Sequence, residues 1–172
     1  MRRILVKGAG VAGLTVAHEL AAPGASVTVA EIRSQIGGNA SWLAGGMLAA
    51  WCEREGAEEA VVTFGNVAAD WWERALPALV TRAGTLVVAH QRDAFELARF
   101  AARSRNYECV DEKVVAALEP DLAGRFHQSL FFCSEAHLDP RRALEALAGN
   151  CVRWASFSFS RRARLAFPAL IR

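Results

Sequence analysis

No stretch of this 172-residue chain runs long enough without a charge to cross a bilayer, since an apolar helix needs about 18 residues or more. Met1-Arg2-Arg3 opens like a secretory leader, but Gly8, Gly10 and Gly13 interrupt the segment after it, and His18 and Glu19 end it. No leader is expected, no membrane contact, and a cytoplasmic location. Cysteine is sparse: Cys52, Cys109, Cys133 and Cys151 are scattered without a CxxC pair. Reduced, mostly core thiols are expected. His18, His90, His127 and His137 share no ligand spacing with each other or with the cysteines, so no metal site is expected. No internal repeat is visible, and no basic face interleaved with aromatics, so no nucleic-acid partner is expected.

What is present is a globular composition, 53% hydrophobic and 22% charged, in a chain long enough for one domain with a real core. The net charge of +2 conceals an asymmetry. From Asn150 onward there are five arginines (Arg153, Arg161, Arg162, Arg164, Arg172) and no acid. The preceding 149 residues carry 15 basic and 18 acidic side chains, a net −3. A basic tail thus succeeds a slightly acidic body.

Apolar periodicity predicts a strand over Arg2–Lys7, a helix over Val11–Ala22 stopped by Pro23-Gly24, and a strand over Ala25–Glu31. Strand, glycine-rich turn, helix and strand make a right-handed βαβ unit. Beyond it the pattern predicts a short helix over Ser41–Leu48 and a long helical stretch over Glu58–Thr81. The latter has Val62, Val67, Trp71 and Trp72 on its apolar side and Pro77 near its end. Further expectations are a strand over Gly84–Ala89, an amphipathic helix over Asp93–Ser104 on Phe95, Leu97, Phe100 and Ala101, and a short helix over Val110–Leu118. A strand over Ser129–Cys133 and a helix from Asp139-Pro140 to about Ala148 complete the pattern. Ser156–Ser160 alternates like a strand, but the arginines and Pro168 come after it with no cap or turn chemistry.

Gly8-Ala9-Gly10-Val11-Ala12-Gly13 is a GxGxxG turn in its required context, with a strand before it, a helix after it and an acid closing the next strand. Gly8 permits the tight turn. Gly10 removes a side chain where a pyrophosphate must approach, and Gly13 with Ala17 lets helix and strand pack closely. The N–H groups around Val11 and Ala12 then face phosphate, supported by the helix dipole. Glu31, eighteen residues after Gly13, is placed to accept from adenosine ribose hydroxyls. Its charge opposes a 2′-phosphate, which argues against NADP. A second small-residue loop, Gly37-Gly38-Asn39-Ala40-Ser41 and Ala44-Gly45-Gly46-Met47, suits a chain passing close to a larger cofactor with a flat ring. FAD is the expected cofactor.

These segments resemble the FAD signature of the D-amino-acid-oxidase-type flavoproteins, and among them the glycine oxidases of thiazole (thiamine) biosynthesis. The resemblance runs to about Gly149 and includes Asp70-Trp71-Trp72, Gly84-Thr85-Leu86-Val87-Val88 and His137-Leu138-Asp139-Pro140. Ala50, where the family carries proline, departs from it. The resemblance implies an α/β fold: a Rossmann-like FAD-binding βαβ unit with part of an α+β substrate domain, truncated. It implies FAD-domain sequence at 1–57, substrate-domain sequence at 58–132 and a return helix at 133–149, with 150–172 as an atypical tail. It implies pyrophosphate binding by Val11 and Ala12, ribose binding at Glu31, and an inner cofactor surface of Ala40, Ser41, Gly45, Gly46 and Met47, with Gly8, Gly10, Gly13 and Ile32 also at the cofactor. The activity implied is oxidation of a small amine or amino acid to an imine, with O2 reduced to H2O2, in a possible homo-oligomer. Residues that clamp the substrate carboxylate belong to the family's C-terminal half, so no catalytic residue is assigned; nothing ties the only tyrosine, Tyr107, to that role.

The family is roughly twice this length, so the chain is expected to be an inactive N-terminal fragment. If Asn150–Ser156 are written in GC-rich codons, the neighbouring phase encodes Leu-Arg-Ala-Leu-Gly-Val, which would extend the preceding helix and open a strand. The tail is therefore expected to come from a shifted reading frame. Three readings stay open: an FAD-dependent amine oxidoreductase, a nucleotide-binding module without catalysis, and a non-functional truncated product.

Overall fold

The computed structural model describes residues 3–56, 58–152 and 155–159. Arg2, Arg153 and the rest of the basic tail beyond Phe159 lie outside the described residues. Strand β1 (Arg3–Lys7) runs through the glycine turn into helix α1 (Val11–Ala21), and the chain returns as β2 (Ser26–Glu31). The two strands pair in parallel from Arg3↔Ser26 to Lys7↔Ala30, as a βαβ crossover requires. Leu14, Ala17 and Ala21 form the buried stripe of α1.

The helix expected over Ser41–Leu48 is instead one 3-10 turn, Ala40–Leu43. The Asn39 side chain caps it, and Ala44, in extended conformation, ends it. Met47–Leu48 then form β3, which pairs antiparallel with Ala136–His137 far along the chain. The stretch over Glu58–Thr81 is two helices, α2 (Glu59–Gly65) and α3 (Ala68–Ala75). The break lies at Asn66-Val67, and Val67, expected in the core, is 57% exposed. Trp71 and Trp72 pack edge to face at 5.0 Å, with Trp72 buried.

Next comes a three-stranded antiparallel sheet, built from β4 (Thr85–Val88), β5 (Glu108–Asp111) and β6 (Gln128–Phe132), with β6 central. Helix α4 (Ala94–Arg103) leans on it through Leu97 and Phe100, the latter edge-on to Phe132. Phe95, expected on the same apolar face, points outward at 76% exposure. The helix expected over Val110–Leu118 starts later, as α5 (Glu112–Leu118). Asp111 caps it by accepting from the Lys113 and Val114 N–H groups, which leaves Val110 in β5. The short β7 (Ala136–His137) closes this part of the chain.

Asp139 then caps α6 (Pro140–Val152), its Oδ1 accepting from Arg141 and Arg142 N–H. The helix runs four residues past the expected Ala148 because Cys151 is buried, its thiol reaching the Leu14 carbonyl at 3.7 Å. Leu144 and Leu147 are fully covered beside it, each contributing roughly 1.5–3 kcal/mol of burial. The final strand, β8 (Ala155–Phe159), pairs in parallel with β2, giving the order β1-β2-β8.

The chain divides into two compact units, 1–46 with 139–172, and 47–138. The boundaries differ from those expected at 57/58 and 132/133. The β3–β7 pairing draws residues 47–57 and 133–138 into the second unit. The cysteines also differ from expectation: Cys109 and Cys133 are exposed, Cys52 is partly covered and only Cys151 is buried. Among the described residues no helix is long and apolar enough to cross a membrane.

Candidate functional site: the glycine-loop groove

At the C-terminal end of β1 and β2 the first unit opens into a groove of about 470 Å³ lined by Lys7, Gly8, Gly10, Glu31, Arg33 and Asn39, with Ala30 and Ile32. The turn above it is held by backbone geometry. Gly8 sits at φ +93°, a conformation that L side chains rarely adopt, and its N–H donates to the Ala30 carbonyl at 2.8 Å. Gly13 lies against that turn: a Cβ on it would fall 2.0 Å from the Gly8 carbonyl oxygen and 3.4 Å from Val6 Cγ1.

Glu31 is the electrostatic centre. It is 4% exposed, yet both carboxylate oxygens are engaged. Oε2 accepts the Ala9 N–H at 2.8 Å; Oε1 accepts the Arg33 N–H at 3.0 Å and its guanidinium at 3.4 Å. Burial pushes the carboxyl's pKa up, but the Ala9 and Arg33 N–H groups and the Arg33 charge outweigh it and hold the pKa below 4.5. A charged acid thus ties the glycine turn to the end of β2.

The second loop comes to the same place. Gly10, the N-cap of α1, has no side chain to cap the helix. Ser41 does it from thirty residues away, its Oγ accepting the Val11 N–H at 3.1 Å. A Cβ on Gly10 would stand 3.2 Å from that oxygen. Asn39 bonds both ways, its Oδ1 accepting from Trp42 N–H at 3.0 Å and its Nδ2 donating to the Ala9 carbonyl at 3.4 Å. Trp42 in turn lies under the Arg141 guanidinium, 5.7 Å from its ring centroid.

Of the residues singled out from sequence, Gly8, Gly10, Glu31 and Ile32 line the groove. Val11 and Ala12 form the exposed first turn of α1, Gly13 packs behind the loop, and Ser41 joins the loop by its hydroxyl. Ala40, Gly45 and Gly46 lie on the connection out of the groove, Gly46 at φ +74°. Met47 opens β3 in the second unit and is 51% exposed. Sequence reasoning missed Asn39, Arg33 and Lys7. Asn39 was discoverable, since an Asn just before Ala40-Ser41-Trp42 is a helix-capping signal. Arg33 and Lys7 carry no motif.

The groove's chemistry is that of a dinucleotide site: a glycine turn without side chains, a helix N-terminus above it, and an ionised acid at the end of the second strand. Known proteins agree. A family model described as FAD dependent oxidoreductase matches residues 3–154. A Rhizobium etli protein named as a thiamine biosynthesis oxidoreductase, ThiO, is 64% identical over 148 residues, which cover 86% of this chain and 45% of that protein. Glycine oxidase from Geobacillus kaustophilus superposes with a TM-score of 0.74 at 20% identity, over 92% of this chain and 47% of its own. An FAD-bound L-α-glycerophosphate oxidase from Mycoplasma pneumoniae gives 0.73 at 17% identity, over 92% and 45%. The chain thus spans somewhat less than half the length of the relatives it matches. The sequence and the fold together place it in the family of FAD-dependent oxidoreductases.

Proposed function

We propose that the groove holds the adenosine and pyrophosphate portion of FAD, in a protein that oxidises a small amine or amino acid, glycine foremost, to an imine. The carrying observation is Glu31, a buried ionised carboxylate that organises the glycine turn and lines the same groove. The residues fit the cofactor. Gly10 presents bare backbone to the groove, and the carboxylate retains acceptor capacity beyond its three bonds. Ala12 N–H, with Val11 N–H once it is released from Ser41 Oγ, would bind the pyrophosphate, and Glu31 beside Ile32 the ribose hydroxyls. Ala40, Ser41, Gly45, Gly46 and Met47 would face the inner part of the cofactor. Bound FAD supplies the two-electron acceptor that passes its electrons to O2, giving H2O2. This chain's own part is to bind and orient: Ser41 and Asn39 hold the loop in place before the ligand arrives, which reduces the ordering cost of binding.

We place the whole protein in the cytoplasm, as a possible homo-oligomer. Taken alone, the 172-residue chain binds nucleotide and turns over no amine. Its one tyrosine, Tyr107, is packed 5.8 Å from Phe132 in a core cluster rather than free to clamp a carboxylate. We read residues 150–172 as the product of a shifted frame, which resequencing the gene tests directly. Cofactor choice is tested by titrating the purified chain with FAD and with NADP while monitoring flavin absorbance and calorimetric heat. FAD should bind more tightly; tighter NADP binding overturns the reading. A peroxide-coupled assay with glycine, sarcosine and D-alanine should be blank for this chain with excess FAD. FAD-dependent peroxide from the homogeneous chain would refute that part.

A further inference from the structure

Asn39 stands just before the 3-10 turn Ala40–Leu43 and lines the groove beside Gly8, Gly10 and Glu31. Two bonds fix which end of its amide points where. The Trp42 N–H needs an acceptor and meets Oδ1 at 3.0 Å. The Ala9 carbonyl needs a donor and meets Nδ2 at 3.4 Å. An amide turned end for end would set oxygen against the carbonyl and nitrogen against the N–H, so it is the nitrogen that faces the glycine turn.

That nitrogen carries two N–H groups. One reaches the Ala9 carbonyl, at a distance long for a hydrogen bond, and the other has no partner among the described residues. Nδ2 lies 3.8 Å from the position a Cβ would take on Gly10, in van der Waals range of the bare backbone there. The surroundings suit an anion. Helix α1 starts at this turn, and its positive end favours negative charge. Glu31, the one acid on the groove wall, has both oxygens engaged by Ala9 and Arg33 and does not take the amide.

On the reading of the groove as a dinucleotide site, we infer that Asn39 is a cofactor-contacting residue whose second Nδ2–H donates to a phosphate oxygen of the dinucleotide. The same side chain then does two things at once. Its oxygen caps the 3-10 turn, and its nitrogen carries the second loop onto the glycine turn and presents a donor where the pyrophosphate lies. A hydrogen bond from a neutral donor to a charged oxygen is worth roughly tenfold to a hundredfold in affinity.

The test is calorimetric titration of the purified chain with ADP and with adenosine, which share base and ribose and differ in the pyrophosphate. Asn39→Ser keeps a side-chain oxygen for the Trp42 N–H, since serine and asparagine cap comparably, but removes the amide nitrogen. ADP affinity should fall roughly tenfold or more, with adenosine unchanged. Asn39→Asp also keeps the cap and puts a charged oxygen where the nitrogen was. It should lose more ADP affinity than Asn39→Ser and again leave adenosine alone. Circular dichroism melts establish that the variants fold, and Asn39→Ser carries the test by itself if Asn39→Asp does not. A side chain that only braces the loop would weaken ADP and adenosine together, or weaken ADP equally in the two variants. Either result overturns the assignment, as does unchanged ADP affinity in Asn39→Ser. A parent chain that binds neither probe refutes the dinucleotide groove itself; a parent that binds ADP, matched by Asn39→Ser, refutes only the part given to Asn39.

Discussion

Two glycines inside helices, given the same substitution, should move stability in opposite directions. Gly13 sits in the first turns of α1. A Cβ there would fall 3.1 Å from the Gly8 carbonyl carbon and 2.0 Å from its oxygen, the latter about 1 Å or more short of ordinary contact. Neither side can yield cheaply. Gly8 is bonded to Ala30 through its N–H, and α1 is fixed by Leu14 and Ala17, both fully buried. Overpacking of this kind costs about 1–3 kcal/mol, occasionally more. Alanine recovers about 1 kcal/mol through its better helix propensity. With a backbone atom as the obstacle, the upper end of the overpacking range applies, which leaves a net loss of about 2 kcal/mol. In a chain of this size that lowers the melting temperature by roughly 4–8 °C. Gly149 lies in α6, exposed, with nothing within 4 Å of its would-be Cβ. Gly149→Ala should therefore gain up to about 1 kcal/mol and raise the melt by roughly 2–4 °C. The assay is thermal unfolding by far-ultraviolet circular dichroism on both variants and the parent. If Gly13→Ala melts at or above the parent, the close contact between helix and glycine turn is wrong. A fall for Gly149→Ala as large as that for Gly13→Ala would be an equal refutation.

Gly10→Val should abolish retention of FAD while β1 and β2 persist. Its Cβ alone would stand 3.2 Å from Ser41 Oγ, and the added methyls would break the Ser41–Val11 bond; unchanged flavin absorbance after gel filtration would show Gly10 to be only a turn residue. Glu31 has its pKa lowered by folding, so its ionised form stabilises the fold above the ordinary value of 4.5, a contribution lost as pH falls through the lower folded value. Urea midpoints measured from about pH 6 down to about pH 3 should accordingly fall more steeply for the parent than for Glu31→Gln, and parallel curves would contradict this. Cys52 has its thiol pushed up to about 11, first by burial and then by the charges of Glu135 and Glu53, so at neutral pH it should react with a disulfide reagent far more slowly than exposed Cys109 and Cys133. Three equally fast thiols would refute it.

Much of the first unit was legible because its signals are local and redundant. The glycine spacing, the apolar strand before it and the stripe on α1 all point to one βαβ unit, and its predicted ends lie within a residue of those observed. The second unit was harder for a physical reason. Strands β3 and β7 are two residues each, too short for any period to register, and only their pairing defines them. In β5 a single residue, Val110, is buried, so Glu108-Cys109-Val110-Asp111 carries no alternation. Hydrophobicity also misled where side chains face outward: Val67 and Phe95 fit a helical stripe by spacing but lie on the exposed side. The beginning of α5 was set by a cap, Asp111, rather than by its apolar residues.

The two buried glutamates make the same distinction at the level of function. Glu31 and Glu135 are nearly inaccessible, and each accepts from backbone N–H groups: Ala9 and Arg33 in one case, Trp51 and Cys52 in the other. In both, a carboxylate fastens a turn through its backbone N–H groups. Glu31 could be found from sequence because its partner turn is a glycine motif at a fixed distance along the chain. Glu135 bonds to residues more than eighty positions away, and nothing in Ser134-Glu135-Ala136 sets it apart from a surface acid. What separates their roles is the second oxygen. At Glu31 both oxygens are engaged by the loop they organise, so a ligand must share that carboxylate. At Glu135 one oxygen holds the loop and the other is left over. A fold that needed only the loop anchor could use a neutral amide there, since glutamine also offers one oxygen to two N–H groups.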